Sequence, residues 1–172
     1  MLPLIVLISV TLASYLASAV FSRRSVDPGT RFARATAYGL AAMFLFASVG
    51  HFAEPLRSGL EAIVPPFVPF PALVVAASGV FEIALAGALL WARSRRWAAI
   101  VAFLYLIAVF PANVLAATTV DHPAAPDTPL VLRTVIQLVF LAASGFVALR
   151  TSGKVRLGRR SAERQLATVS PE

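Results

Sequence analysis

Pro71-Ala72-Leu73-Val74-Val75-Ala76-Ala77-Ser78-Gly79-Val80-Phe81-Glu82-Ile83-Ala84-Leu85-Ala86-Gly87-Ala88-Leu89-Leu90-Trp91 carries a single charged side chain, Glu82, in an otherwise apolar run. At 1.5 Å rise per residue, about 20 such residues cross the roughly 30 Å hydrocarbon core of a bilayer. The run therefore reads as a membrane-spanning helix with Glu82 near its middle. An unpaired charge at that depth is costly, which makes an ionisable residue there a candidate functional site.

The rest of the chain agrees with this reading. Its 172 residues are 59% hydrophobic and 13% charged, with a mean hydropathy of +0.82, too apolar for an ordinary soluble domain. A net charge of +7 raises the question of nucleic acid. However, the basic residues cluster between apolar runs rather than along one face with interleaved aromatics, so no nucleic-acid partner is expected. The absence of cysteine removes disulfides, thiol nucleophiles and thiolate metal sites. With only His51 and His122, no metal site is expected.

Four more spans flank the central one: Leu2 to Phe21, Phe32 to Val49, Trp97 to Ala117 and Leu130 to Leu149. For the first, a cleaved signal peptide ending near Ala17-Ser18-Ala19 competes with a retained helix. The missing positive leader and the following Arg23 and Arg24 favour the retained helix. Thr30 is available to cap the second span. Pro55, Pro65, Pro66, Pro69 and Pro71 forbid a continuous helix between Glu54 and Pro71. That stretch either lies in the interface or folds back over the bundle, with a plain surface connection as the alternative. Pro111 is expected to kink the fourth span or free a backbone carbonyl. The fold class is an all-α membrane protein: an N-terminal anchor helix (1–22), a four-helix transmembrane bundle (31–150) and a basic tail (151–172) expected to be disordered.

Charge sets the orientation, because loops on the inner side hold Lys and Arg. Arg23, Arg24, Arg31 and Arg34 fall between spans one and two, Arg93, Arg95 and Arg96 between three and four, and six basic residues from Arg150 to Arg164 after span five. The other two connectors hold one arginine, Arg57, beside acidic residues. The N-terminus is thus expected outside and the C-terminus inside. Counting from helix ends puts Glu82 near the midplane, with His51, Asn113, Arg133 and Gln137 above it. These five are the candidate ligand-binding residues, and Glu82 is also the candidate catalytic one. They outline a cavity open to the outer leaflet, with Glu82 at its floor and Arg133 as its expected partner. The plainer alternative is that Glu82, Arg133, Gln137 and Asn113 only lock helices together, while His51 lies among headgroups.

Gly50-His51-Phe52, the proline-rich Val64 to Pro71, Ser78-Gly79-Val80-Phe81-Glu82, Phe110-Pro111-Ala112-Asn113-Val114 and the pair Arg133 and Gln137 together resemble the DoxX family of small bacterial membrane proteins. The resemblance covers about Arg34 to Leu149 and implies a four-helix bundle in the bacterial cell membrane, crossed several times. The added first span departs from that pattern. The family's association with quinone-linked sulfur oxidation or oxidative stress implies an accessory subunit of a membrane redox system. Such a subunit would bind a quinone or another small apolar molecule, with membrane lipid and a partner redox subunit as neighbours. Two alternatives stand beside it: an enzyme using Glu82 for proton transfer on a quinone-like or lipid substrate, and a small transporter or proton conductor. No nucleotide, flavin, haem or iron–sulfur motif is encoded.

Overall fold

A computed structural model describes residues 1–21, 26–125 and 128–167, with side chains to residue 151. The described residues form helices and connections without strands: α1 (Leu2–Phe21), α2 (Pro28–Val49), α3 (Leu56–Ala62), α4 (Pro71–Leu90), α5 (Arg95–Thr118) and α6 (Leu130–Ala167). All except the short α3 are long and apolar enough to cross a membrane, the spanning part of α6 being Leu130–Thr151.

Helix ends follow local chemistry. α2 starts at Pro28, four residues before the expected Phe32, because proline suits a first helical position. Asp27, rather than Thr30, is the cap: its Oδ2 accepts the Thr30 N–H at 2.9 Å. At the other end of the bundle α4 also starts on a proline, preceded by Phe70 in the left-handed region at φ 56°. The last carbonyls of α4 are capped by an arginine. Arg95 Nε and Nη2 donate to the Leu89 and Leu90 carbonyls at 2.9 and 2.8 Å, with the guanidinium over the Tyr38 ring. Its charge also suits the negative end of that helix. α6 runs on to Ala167, where the sequence reading has a disordered tail. Lys, Arg, Leu, Gln and Ala there favour helix, and elongating an existing helix avoids the cost of nucleation. The last five residues of that tail lie outside the described residues.

The packing is a ring of four, in which α2 meets α4, α4 meets α5, α5 meets α6 and α6 returns to α2, while α1 lies outside the ring against α2. Leu40, Phe44, Leu89, Ser144 and Val147 are fully buried at its centre. Small residues allow the close approaches. A methyl at Gly39 would stand 2.6 Å from the Leu7 carbonyl oxygen, so α1 seats on α2 only because that position is glycine. Outward faces carry large apolar side chains such as Ile8, Leu12, Leu73, Val80 and Ile83. The buried face of α4 is instead Val75, Gly79, Glu82, Leu85, Ala86 and Leu89. Apolar side chains outward with small and polar ones inward is the pattern of helices solvated by lipid.

α3 gives the proline-rich connector its own fold. Gly59 is buried, and a methyl there would sit 2.1 Å from the Ala124 carbonyl oxygen. The α2–α4 connector therefore folds over one end of the bundle onto the α5–α6 connector.

Candidate functional site

Glu82 is 7% exposed and has two neighbours that can handle a proton. The Tyr105 hydroxyl, from α5, donates to Glu82 Oε1 at 2.8 Å. The other oxygen, Oε2, is buried without a hydrogen bond and faces His51 Nε2 at 3.5 Å. The Tyr105 ring is held between Phe81 and Phe44, with centroids 5.1 and 6.2 Å away.

The other side of His51 fixes its tautomer. Nδ1 lies 2.8 Å from the Val75 carbonyl oxygen, which only accepts, so Nδ1 carries a hydrogen. Ser78 Oγ donates to the same carbonyl at 2.8 Å and is left to accept from Nδ1–H at 3.0 Å. In a neutral ring so oriented, Nε2 presents its lone pair to the carboxyl group. The pair is complementary when one proton lies between Oε2 and Nε2, either as acid with imidazole or as carboxylate with imidazolium. Ser78, His51, Glu82 and Tyr105 thus form a continuous chain of groups able to hold a proton and pass it on.

This meeting corrects the expected depths. A methyl at Gly79 would stand 2.6 Å from His51 Cβ, so Gly79 and His51 lie at one level. Eight residues of α4 precede Gly79, so α4 projects roughly 12 Å beyond the end of α2, and Glu82 is about one turn below His51. Counting each span from its own end missed this stagger.

The remaining residues of the expected cavity separate. Arg133 Nε donates to the Thr128 carbonyl at 2.6 Å and Nη1 reaches Asn113 Oδ1 at 3.4 Å. Glu82 is thus held by Tyr105 and His51 in place of the expected Arg133, which is drawn to the connector just before its own helix. Gln137 Nε2 donates to the Leu106 carbonyl, one residue before the carbonyl whose usual donor Pro111 removes. Arg133, Asn113 and Gln137 join α5, α6 and their connector. An open groove along α1, α2 and α6 and an open recess at Pro55, Ser58 and His122 lie elsewhere. Glu82 lines neither of them.

Tyr105 and Ser78 are the members that sequence reasoning missed as site residues. A tyrosine inside an apolar span was the available signal, since a buried hydroxyl needs a partner. Among the described residues no group of three or more His, Cys, Asp and Glu side chains is placed to hold a metal.

Burial pulls the His51 pKa below the ordinary imidazole value of 6.5, opposed by the ring's bond to the Val75 carbonyl. A base with a depressed folded-state pKa contributes stability above its unfolded value, and that stability is lost as pH falls toward the folded one. The midpoint of thermal unfolding of wild type in detergent is therefore expected to fall by a few degrees relative to that of His51→Gln between about pH 7 and pH 5; parallel profiles for the two proteins would remove His51 as a source of pH dependence.

The chain belongs to a family described as a domain of unknown function (DUF8561), matched over residues 40–148. The match runs from the middle of α2 to near the end of the spanning part of α6, leaves α1 outside, and contains the whole Ser78–His51–Glu82–Tyr105 chain. No curated protein and no solved structure matches it.

Proposed function

We propose that this member of a family of unknown function is a DoxX-like accessory subunit of a membrane redox system in the bacterial plasma membrane. It binds a quinone or a similar small apolar molecule beside a proton-holding centre. The observation that carries this reading is the Tyr105–Glu82–His51 chain, a buried carboxyl group that accepts the Tyr105 hydroxyl on one oxygen and faces the His51 ring nitrogen with the other. Quinone reduction takes up protons together with electrons, so a bound headgroup needs such a centre within hydrogen-bond reach. Electrons would come from a partner redox subunit, because this chain encodes no redox group of its own. The side chains of His51 and Glu82 keep 12% and 9% of their surface accessible, which leaves an edge of the centre open to a ligand arriving through the membrane. Arg133, Asn113 and Gln137 join α5, which carries Tyr105, to α6 and their connector.

The ordered His51 ring supports a second reading, an enzyme in which Glu82 and His51 move a proton on a quinone-like or lipid substrate. Proton conduction is less well supported: below Glu82 the bundle interior is closed by Leu40, Leu85, Leu89 and Val147. The test is retention of an added isoprenoid quinone by purified protein after gel filtration. Wild type is expected to retain it and Glu82→Gln to retain it roughly tenfold less, the loss expected when a hydrogen bond to an ionisable partner is weakened. Equal, negligible retention by both proteins would remove the binding reading. Turnover of substrate by wild type and not by Glu82→Gln would favour the enzyme.

A further inference from the structure

The hydrogens of the Glu82 centre are already committed. The Ser78 hydroxyl donates to the Val75 carbonyl at 2.8 Å, His51 Nδ1–H is directed at the same carbonyl at 2.8 Å, and the Tyr105 hydroxyl donates to Glu82 Oε1 at 2.8 Å. Two atoms are left over: Glu82 Oε2, buried without a hydrogen-bond partner, and His51 Nε2, 3.5 Å from it. Arg133 and Gln137 reach Thr128, Asn113 and Leu106 instead of this pair.

The two atoms discriminate between a ligand that can donate a hydrogen bond and one that can only accept. As carboxylate and neutral ring they are both acceptors. A ligand hydroxyl donates to them, whereas a ligand carbonyl meets no donor. With one proton on the pair the difference persists. A hydroxyl oxygen about 2.8 Å from each atom accepts from the protonated one and donates to the other. A carbonyl in the same place accepts from the protonated atom and leaves the second, now parted from its neighbour, unmatched. An unmatched buried acceptor lowers affinity on the order of tenfold, and sites built to bind a hydroxyl reject the analogue that lacks it. The exposed rings of Phe52, against Gly79, and Phe81, against Tyr105, border the centre and suit an aromatic headgroup.

We propose that the Glu82 centre selects the reduced, hydroxyl-bearing form of its ligand, a hydroquinone, over the dione, with one ligand hydroxyl bridging Oε2 and Nε2 from the accessible edges of the two side chains. This inference rests on the quinone-binding reading of the centre and deepens it by naming the redox form that is held. Tighter binding of the reduced form makes the bound quinone easier to reduce. A preference of about tenfold raises the midpoint potential of the two-electron couple by about 30 mV.

The test is anaerobic gel filtration of the purified full chain with three probes: decylubiquinone, decylubiquinol kept reduced by dithionite, and the dimethyl ether of that quinol, which keeps its ring and tail but has no hydroxyl hydrogen. Wild type is expected to retain the quinol roughly tenfold more than the quinone or the ether. His51→Phe, which keeps a ring and removes the acceptor, is expected to lose most of that preference. Equal retention of quinol and quinone, an ether held as tightly as the quinol, or a full preference in His51→Phe would each overturn the selection while leaving the binding reading in place. Retention of none of the three by wild type would remove both.

Discussion

Gly79→Val is expected to destabilise the bundle by about 2–3 kcal/mol, the usual range for forcing extra carbon into a packed interior, and to pull His51 away from Glu82. A Cβ at this position would stand 2.6 Å from His51 Cβ and 2.9 Å from the Phe52 ring, so α4 and the end of α2 must part. Gly87 provides the control on the same helix. A Cβ there meets nothing within 4 Å, and Gly87→Ala should stabilise the helix slightly, by up to about 1 kcal/mol in an exposed interior position. Thermal unfolding in detergent separates the two cases. Similar behaviour of the two variants would show that the close approach at Gly79 is not what seats His51.

Glu82→Gln is expected to preserve the fold and abolish proton exchange. The amide oxygen can still accept the Tyr105 hydroxyl, and the amide nitrogen can donate to His51 Nε2, so the change in stability should stay within about 1 kcal/mol. Glu82→Leu is expected to behave differently. It leaves the Tyr105 hydroxyl and the His51 lone pair without their shared partner, at about 1–3 kcal/mol for each unsatisfied group. A Gln variant as unstable as the Leu variant would mean that the ionisable proton, and not hydrogen bonding alone, holds the helices together.

Much of this architecture is legible in the sequence because lipid imposes simple constraints. A run of about 20 apolar residues has few folded alternatives, and the alternating arginine clusters order the spans. The Ser78, Glu82 and Ala86 spacing marks one helix face, and Glu82 and Ala86 lie on the buried face of α4. What escaped was relative position. The stagger between α2 and α4 depends on Gly79 meeting His51, a contact that no count from helix ends contains. Arg133 had two candidate partners, a distant carboxylate and nearby carbonyls, and local backbone prevailed. Arg95 reads as a loop charge that sets orientation, yet it is buried as the cap of α4. Tyr105 was hidden among apolar neighbours, although its hydroxyl completes the centre.

An exchangeable proton shared by His51, Glu82 and Tyr105 has a spectroscopic signature. Infrared difference spectroscopy across a pH step, in light and heavy water, tests it most directly. A carboxyl stretching band is expected that shifts in heavy water, disappears in Glu82→Gln and moves in both His51→Gln and Tyr105→Phe. A spectrum with no band dependent on Glu82, or a Glu82 band unmoved by either neighbour's replacement, would contradict it.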